Sequence, residues 1–263
     1  MPTFQGKTPA SYFKNLFGIN QSSNTGVDAT TRVVHDGAGN STSISLSDDV
    51  LSVQPVNDNG NTLLVKNQGG SNILAVDTTN SKVLMGASQV AANTQYAYFG
   101  THSTANLSAV AGTHYAVGFN NVLSTTTVAM GTGTDPSTSY DISANNNGDH
   151  MAMMLWYIPD NITVDQVYWT AGGSDATGDT INIHLLSFDF DAGAGAGKGD
   201  LSNGVVIAGG ADIASLGHEN VIYQSIAPAS ANVDAGKVCM ATFESNGTNS
   251  NYALNIIVKY HIR

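Results

Sequence analysis

From Gln21 to Gly86 the chain runs in short extended phrases, TTRVVHDGAGN, STSISLSDDV, LSVQPVNDNG, NTLLVKNQGG, SNILAVDTTN and SKVLMG, each a small apolar group closed off by Asn, Asp, Gly, Ser or Thr. The apolar groups recur about every ten residues, a spacing of short strands and turns. They are Val33 and Val34, Ile44 and Leu46, Leu51 and Val53, Leu63 to Val65, Ile73 to Val76, and Val83 to Met85. None of these strands can bury a face within its own segment, yet a stable domain must remove most of its unfolded surface from water. Three chains wound about one axis would supply the missing partners. The pattern therefore predicts an intertwined trimeric β stalk over residues 21–86, with Leu46, Leu51, Val53, Leu64, Val65, Ile73, Val76 and Val83 in the shared core.

The first twenty residues read differently. In MPTFQGKTPASYFKNLFGIN, Thr8 is placed to cap a short helix, Pro9 to occupy its first turn and Gly18 to end it. Tyr12, Phe13, Leu16 and Phe17 would then form one sticky face. A helix of about ten residues is not stable alone, so residues 1–20 are expected to be an anchor segment, docked on the chain's own oligomer or on a second protein. Residues 87–150 carry strand candidates at Tyr115 to Phe119 and Thr125 to Met130 and a turn at Pro136, and are read as a neck and the start of a distal domain.

From Met151 the strand pattern strengthens. MLWYIPDNITVDQVYWT holds two strands about a PDN turn, and TINIHLLSFDFD opens with Ile181, Ile183 and Leu185 on one face. VVIAG, NVIYQSIA, KVCMATFE and NYALNIIVKYHIR follow, the last two joined through SNGTNS as a hairpin. Seven or eight antiparallel strands over residues 151–263 is the pattern of a β-sandwich head of jelly-roll type. The apolar face shifts from Ile181, Ile183 and Leu185 to Leu186, Phe188 and Phe190, which predicts a bulge near Leu185. The fold class expected is thus all-β, with an anchor, a stalk and a sandwich head.

Composition narrows the function classes. Charged residues are only 11% of the 263, so solubility rests on Asn, Ser, Thr and Gly, and 28 glycines disfavour long helices. With a net charge of -11 and nine Lys and Arg, a nucleic-acid backbone would be repelled. No apolar stretch reaches the roughly 20 residues of a membrane span, and the N-terminus has no signal-peptide layout, so synthesis in a cytoplasm without classical export is expected. Cys239, the single cysteine, lies in the strand-like KVCMATFE and reads as a buried apolar residue.

The phrases DGAGNSTSISLSDDVLSVQP and NTLLVKNQGGSNILAVDTTNSKVLMG resemble the stalk segments of trimeric fibre and decoration proteins on tailed-phage virions. The resemblance covers Thr8 to Phe99 and weakens from Thr101 onward. It implies a virion-surface structural protein made in the bacterial host's cytoplasm. Its partners would be two further copies of itself and a capsid or tail protein, with a host surface glycan or protein as a further partner in the tail-fibre case. A capsid decoration or head-fibre protein is the first reading, because the chain is short and acidic. A receptor-binding short tail fibre is the second and a polysaccharide depolymerase a distant third. The resemblance carries no catalytic residues and no cofactor.

A search for chemistry leaves little. GAGAGKGD at 193–200 lacks the phosphate-loop pattern, since Ala192 stands where the first Gly belongs and Gly199 follows Lys198. Asp189 and Asp191 share a strand face, a placement open to acid/base work or a Ca²⁺ ion, but equally to two solvated carboxylates behind Phe188 and Phe190. The seven histidines fall in no zinc spacing; His35, beside the HDGAG turn, is the one that a threefold axis could bring together with its copies. No Ser/His/Asp arrangement is evident. In MLWYIPDN, alternation sends Trp156 and Tyr157 to opposite faces, so one of the two is expected at the surface. Trp156, Asp189 and Asp191 are the candidate ligand surface; catalytic and metal residues are not expected.

Overall fold

The turn residues that punctuate the sequence close antiparallel hairpins throughout a computed structural model, which describes residues 16–19, 21, 26–88, 90–102, 110–121, 128–139, 151–174, 178–191, 200–214, 220–247 and 251–263. The chain divides into two compact units, Met1–Ala92 and Asn93–Arg263. All strand pairings are antiparallel, so the protein is all-β in several sheets.

In the first unit, β1 (Phe17–Ile19), β2 (Arg32–Asp36), β3 (Ser41–Leu46) and β4 (Leu51–Val53) form one sheet in chain order. A second sheet follows the same plan with β5 (Leu63–Lys66), β6 (Asn72–Asp77), β7 (Lys82–Met85) and β8 (Val90–Ala91). The Asn, Asp and Gly residues between strands act locally. The Asp36 carboxylate accepts from the backbone N–H groups of Ala38 and Asn40 and from the Asn40 side chain, while Gly39 takes the left-handed conformation at φ +87°. Asp77 and Asn80 repeat the device in the hairpin between β6 and β7 of the second sheet.

The expected N-terminal helix is corrected where it can be compared. Phe17–Ile19 is extended and pairs with Val34 to Asp36, because the edge of β2 offers backbone groups that a strand satisfies and a helix would not. Leu16 and Phe17 are exposed, whereas Tyr12 and Phe13 lie outside the described residues.

Register decides which apolar residues share a face. On the first sheet Ile44 stands opposite Val53 and Leu46 opposite Leu51, all four on one side. On the second, Leu63, Val76 and Val83 form one row and Val65, Leu74, Met85 and Val90 the next, so seven apolar side chains share a face. That face is open: Val65 is 48% exposed, Val83 41% and Met85 52%. Leu64 lies on the other side, opposite the fully buried Ala75, and Ile73 falls on that side too by alternation.

The second unit carries two larger sheets. Its strands are β9 (Thr94–His102), β10 (Thr113–Val117), β11 (Ala129–Thr132), β12 (Trp156–Tyr157), β13 (Ile162–Ser174) and β14 (Thr180–Phe190). The series continues with β15 (Leu201–Gly209), β16 (Ile213–Ala214), β17 (Ile222–Ile226), β18 (Asn232–Val233), β19 (Lys237–Ser245) and β20 (Asn251–Ile262). One sheet has the order β17-β13-β20-β9, with β18 on β13; the other has β11-β10-β19-β14-β15, with β12 on β19 and β16 on β14. Residues 87–150, read from the sequence as a neck and the start of a distal domain, thus supply β9, β10 and β11.

The two sheets share one core. Val167, Trp169, Ile256 and Phe99 from the first meet Ile183, Leu185, Ala241 and Phe243 from the second, all with essentially no exposure. A second cluster covers the opposite side of the larger sheet, where Leu186, Phe188, Val238 and Met240 pack with Val128, Met130, Met151 and Met154. This second cover corrects the reading of β14. Its pairing with β19 runs without interruption from Ile181↔Ser245 to Asp189↔Lys237, so the apolar face does not switch; both faces are buried in turn. The irregularity near Leu185 does occur, but the extra residue sits on β15, where Ala208 and Val206 oppose Leu185 and Leu186.

Candidate functional site

The covered side of the larger sheet changes character along its strands. Even-numbered positions of β14 run Asn182, His184, Leu186, Phe188, and those of β19 run Glu244, Thr242, Met240, Val238; register places them as neighbours in that order. One half is therefore apolar and roofed by methionines. The other half is polar and, with His114 from β10 and Gly210 and Asp212 from the segment after β15, lines a cavity of about 600 Å³.

Hydrogen bonds assign the imidazole tautomers. His114 Nε2 lies 3.0 Å from the Gly133 carbonyl, an acceptor, so Nε2 carries the proton and Nδ1 accepts from the Thr242 hydroxyl at 3.1 Å. His184 Nε2 likewise donates to the Thr134 carbonyl at 3.1 Å. The two rings meet edge to face with centroids 4.6 Å apart. Burial, and the His184 ring beside it, push the His114 pKa down to about 4; burial lowers that of His184 as well. The pair is neutral at pH 7. The Asn182 amide donates to Asp212, and burial together with the Asp212 charge raises the Glu244 carboxyl. A Cβ on Gly209 would come within 2.9 Å of His184 Nε2, so glycine there gives the ring its seat.

An acid-stability profile follows from the buried imidazoles. On acidification the unfolded chain takes up the His114 proton first, near its ordinary pKa of 6.5. Stability that is complete above that pH is lost as pH falls toward about 4, by about 3 kcal/mol at full protonation. Urea unfolding at stepped pH checks it: the slope across this window is expected to flatten in His114→Asn, whereas an unchanged slope would mean His114 does not titrate as buried.

Residues singled out from the sequence lie elsewhere. Trp156 is 7% exposed and stacks on Phe119 in the core with ring planes 11° apart, which removes it from the ligand surface; Tyr157, 52% exposed, is the outward member of that pair. The reason is β12, whose pairing with β19 turns Trp156 toward the core shared by the two sheets. Asp189 holds Lys237 and accepts from Asn203 at 2.7 Å, and these partners lower its pKa. The carboxylate is thus held ionised. Asp191 follows β14 as an exposed residue. His35 is half-buried in β2 and lines, with Leu16, Phe17 and Asp36, a separate cavity of about 450 Å³ in the first unit. The GAGAGKG segment lies outside the described residues. Cys239 is fully buried, and burial pushes its thiol up to about 12.

His114, Asn182, His184, Asp212 and Glu244 were not singled out from the sequence. Asn182, His184 and Glu244 had one signal, polar residues at one end of an alternating strand face in INIHLL and CMATFE, and His114 and Asp212 had none; the pairing of β19 with β14 and β10, and of β14 with β15, brings the five together. Among the described residues no group of three His, Cys, Asp or Glu is placed to hold a metal ion, and no helix is long and apolar enough to cross a membrane. No protein-family model matches the chain, and no curated protein is similar to it.

Proposed function

We propose that this chain is a non-enzymatic structural protein of a tailed-phage particle. It is a homotrimer in which the first unit forms the stalk and the second is the displayed head. The observation that carries the trimer is the contrast between the units. The second unit closes its own core, whereas the first leaves Val65, Val83 and Met85 on an open apolar face, and Leu51 69% exposed on the other sheet. Apolar area of this kind is removed from water when further copies cover it.

Strand order supports a jelly-roll reading of the head. Taking β9, β10, β13, β14, β15, β17, β19 and β20 as eight successive strands, one sheet holds the sixth, third, eighth and first, and the other the second, seventh, fourth and fifth. That is the order of two interleaved Greek keys, an architecture found in viral capsid and lectin domains. Capsid decoration is the first location. A receptor-binding short tail fibre is the second, favoured by the exposed Tyr96, Tyr98 and Tyr223 on strands of the head, since aromatic residues on a rigid scaffold suit recognition.

The solution mass by light scattering tests the assembly. A value near three times 27.2 kDa is expected. A folded monomer would overturn the reading. Copy number on the particle then separates decoration, with many copies, from a tail fibre, with few.

A further inference from the structure

Among the described residues, two acceptors in side chains lining the cavity beside β14 and β19 lack a donor. His114 uses both ring nitrogens, the His184 Nε2 proton goes to Thr134, and the Asn182 amide donates to Asp212. What remains is Nδ1 of His184 and Oδ1 of Asn182, in side chains only 4% and 8% exposed, and neither finds a partner among the described residues. Leaving a buried acceptor unpaired costs about 1–3 kcal/mol, so such atoms point to a missing donor. The carboxylates of Asp212 and Glu244 line the same cavity, and among the described residues no Lys or Arg does.

We propose that this cavity binds a cationic headgroup rich in N–H donors, an alkylguanidinium or alkylammonium. Such a group brings donors and no acceptor, together with the positive charge that two neighbouring carboxylates lack. An anion would meet those carboxylates head on, and an apolar group would leave both acceptors unpaired. A divalent metal needs a closer set of ligands than the described residues provide. Water can satisfy the acceptors but not the charge. At about 600 Å³ the cavity falls within the size of small-molecule sites, with room for a headgroup and part of its stem. Burial and the Asp212 charge raise the Glu244 carboxyl, and an arriving cation reverses that effect. Binding is therefore coupled to ionisation of Glu244 and strengthens as pH rises.

The headgroup comes from a free small molecule or from an Arg or Lys side chain of another protein. Titration calorimetry of the full chain with agmatine, and with a capped Gly-Arg-Gly peptide, tests both. Saturable binding at one site per chain is expected, weakened about tenfold or more by Glu244→Gln and by Asp212→Asn and unchanged by Asp49→Asn at an exposed position of the first unit. Binding of agmatine but not peptide assigns a free small molecule; equal binding of both assigns a side chain. The wild-type chain supplies a check independent of any substitution, since affinity is expected to rise with pH as Glu244, whose carboxyl is raised by burial and the Asp212 charge, ionises. No saturable heat from either probe at millimolar concentration, pH-independent binding, or equal affinity in the variants would overturn the proposal. Displacement of agmatine by Ca²⁺ or Zn²⁺ bound more tightly through the same residues would do so too.

Discussion

A chain carrying Val65→Asp is expected to run as a monomer in light scattering, under conditions in which the unaltered chain runs as a trimer. Val65 lies in the row Val65, Leu74, Met85, Val90 and is 48% exposed in the single chain, so in the proposed trimer neighbouring copies would have to cover it. Burying a valine side chain contributes about 1.5–3 kcal/mol. The substitution removes that from each of three chains and sets three carboxylates in an apolar contact, where each resists desolvation. A loss on the order of 5–10 kcal/mol follows, enough to move assembly out of the micromolar range. The same charge at Ser43, on the side of β3 opposite Ile44, is expected to leave the trimer intact. The second unit should stay folded in both variants because its core is built from its own strands. A trimeric Val65→Asp chain would mean that another surface joins the copies.

The second large effect lies in the core of the second unit. Phe243 is fully buried on β19, with Tyr115 opposite it on one neighbouring strand and Ile183 on the other, and its ring meets that of Tyr252 at 4.9 Å. Phe243→Ala leaves a cavity that this packing cannot close, since Tyr252 is itself held by Ser245 and Asp179 through its hydroxyl at 2.9 Å each. The expected cost is about 3–5 kcal/mol, a large part of the roughly 5–15 kcal/mol that stabilises a typical protein. For a domain of this size that lowers the melting temperature by about 8–15 °C in calorimetry. Tyr223→Ala, at a side chain 61% exposed, should stay within about 0.5 kcal/mol. Similar melting of the two variants would mean that the core relaxes around position 243.

Strand existence was legible because a period of two, broken by Asn, Asp and Gly, leaves few alternatives to hairpins. KVCMATFE and NYALNIIVKYHIR are β19 and β20 where the pattern placed them. The helix expected at Thr8 to Gly18 was a matter of local propensity, and its described end yielded to strand pairing: an edge strand gives Phe17 to Ile19 hydrogen-bond partners that an isolated turn cannot match. Trp156 was misplaced for a related reason. Alternation separates it from Tyr157 but does not say which of the two faces is the core. Both faces of β14 are buried, so the shift in its apolar pattern marks the second cluster on the far side, while the bulge that does occur beside Leu185 has its extra residue on β15.

By itself the sequence determined an all-β protein with many short hairpins, a thinly apolar N-terminal part and a richer C-terminal one, since these follow from side-chain period and turn chemistry, which act over a few residues. Tertiary structure decided which open face Val65, Val83 and Met85 share, and that Asn182, His184, Thr242 and Glu244 meet in one place. Those outcomes rest on register between strands distant in the chain. A slip of one residue would send every side chain of a strand to the other face, and only packing of the whole sheet selects among the registers.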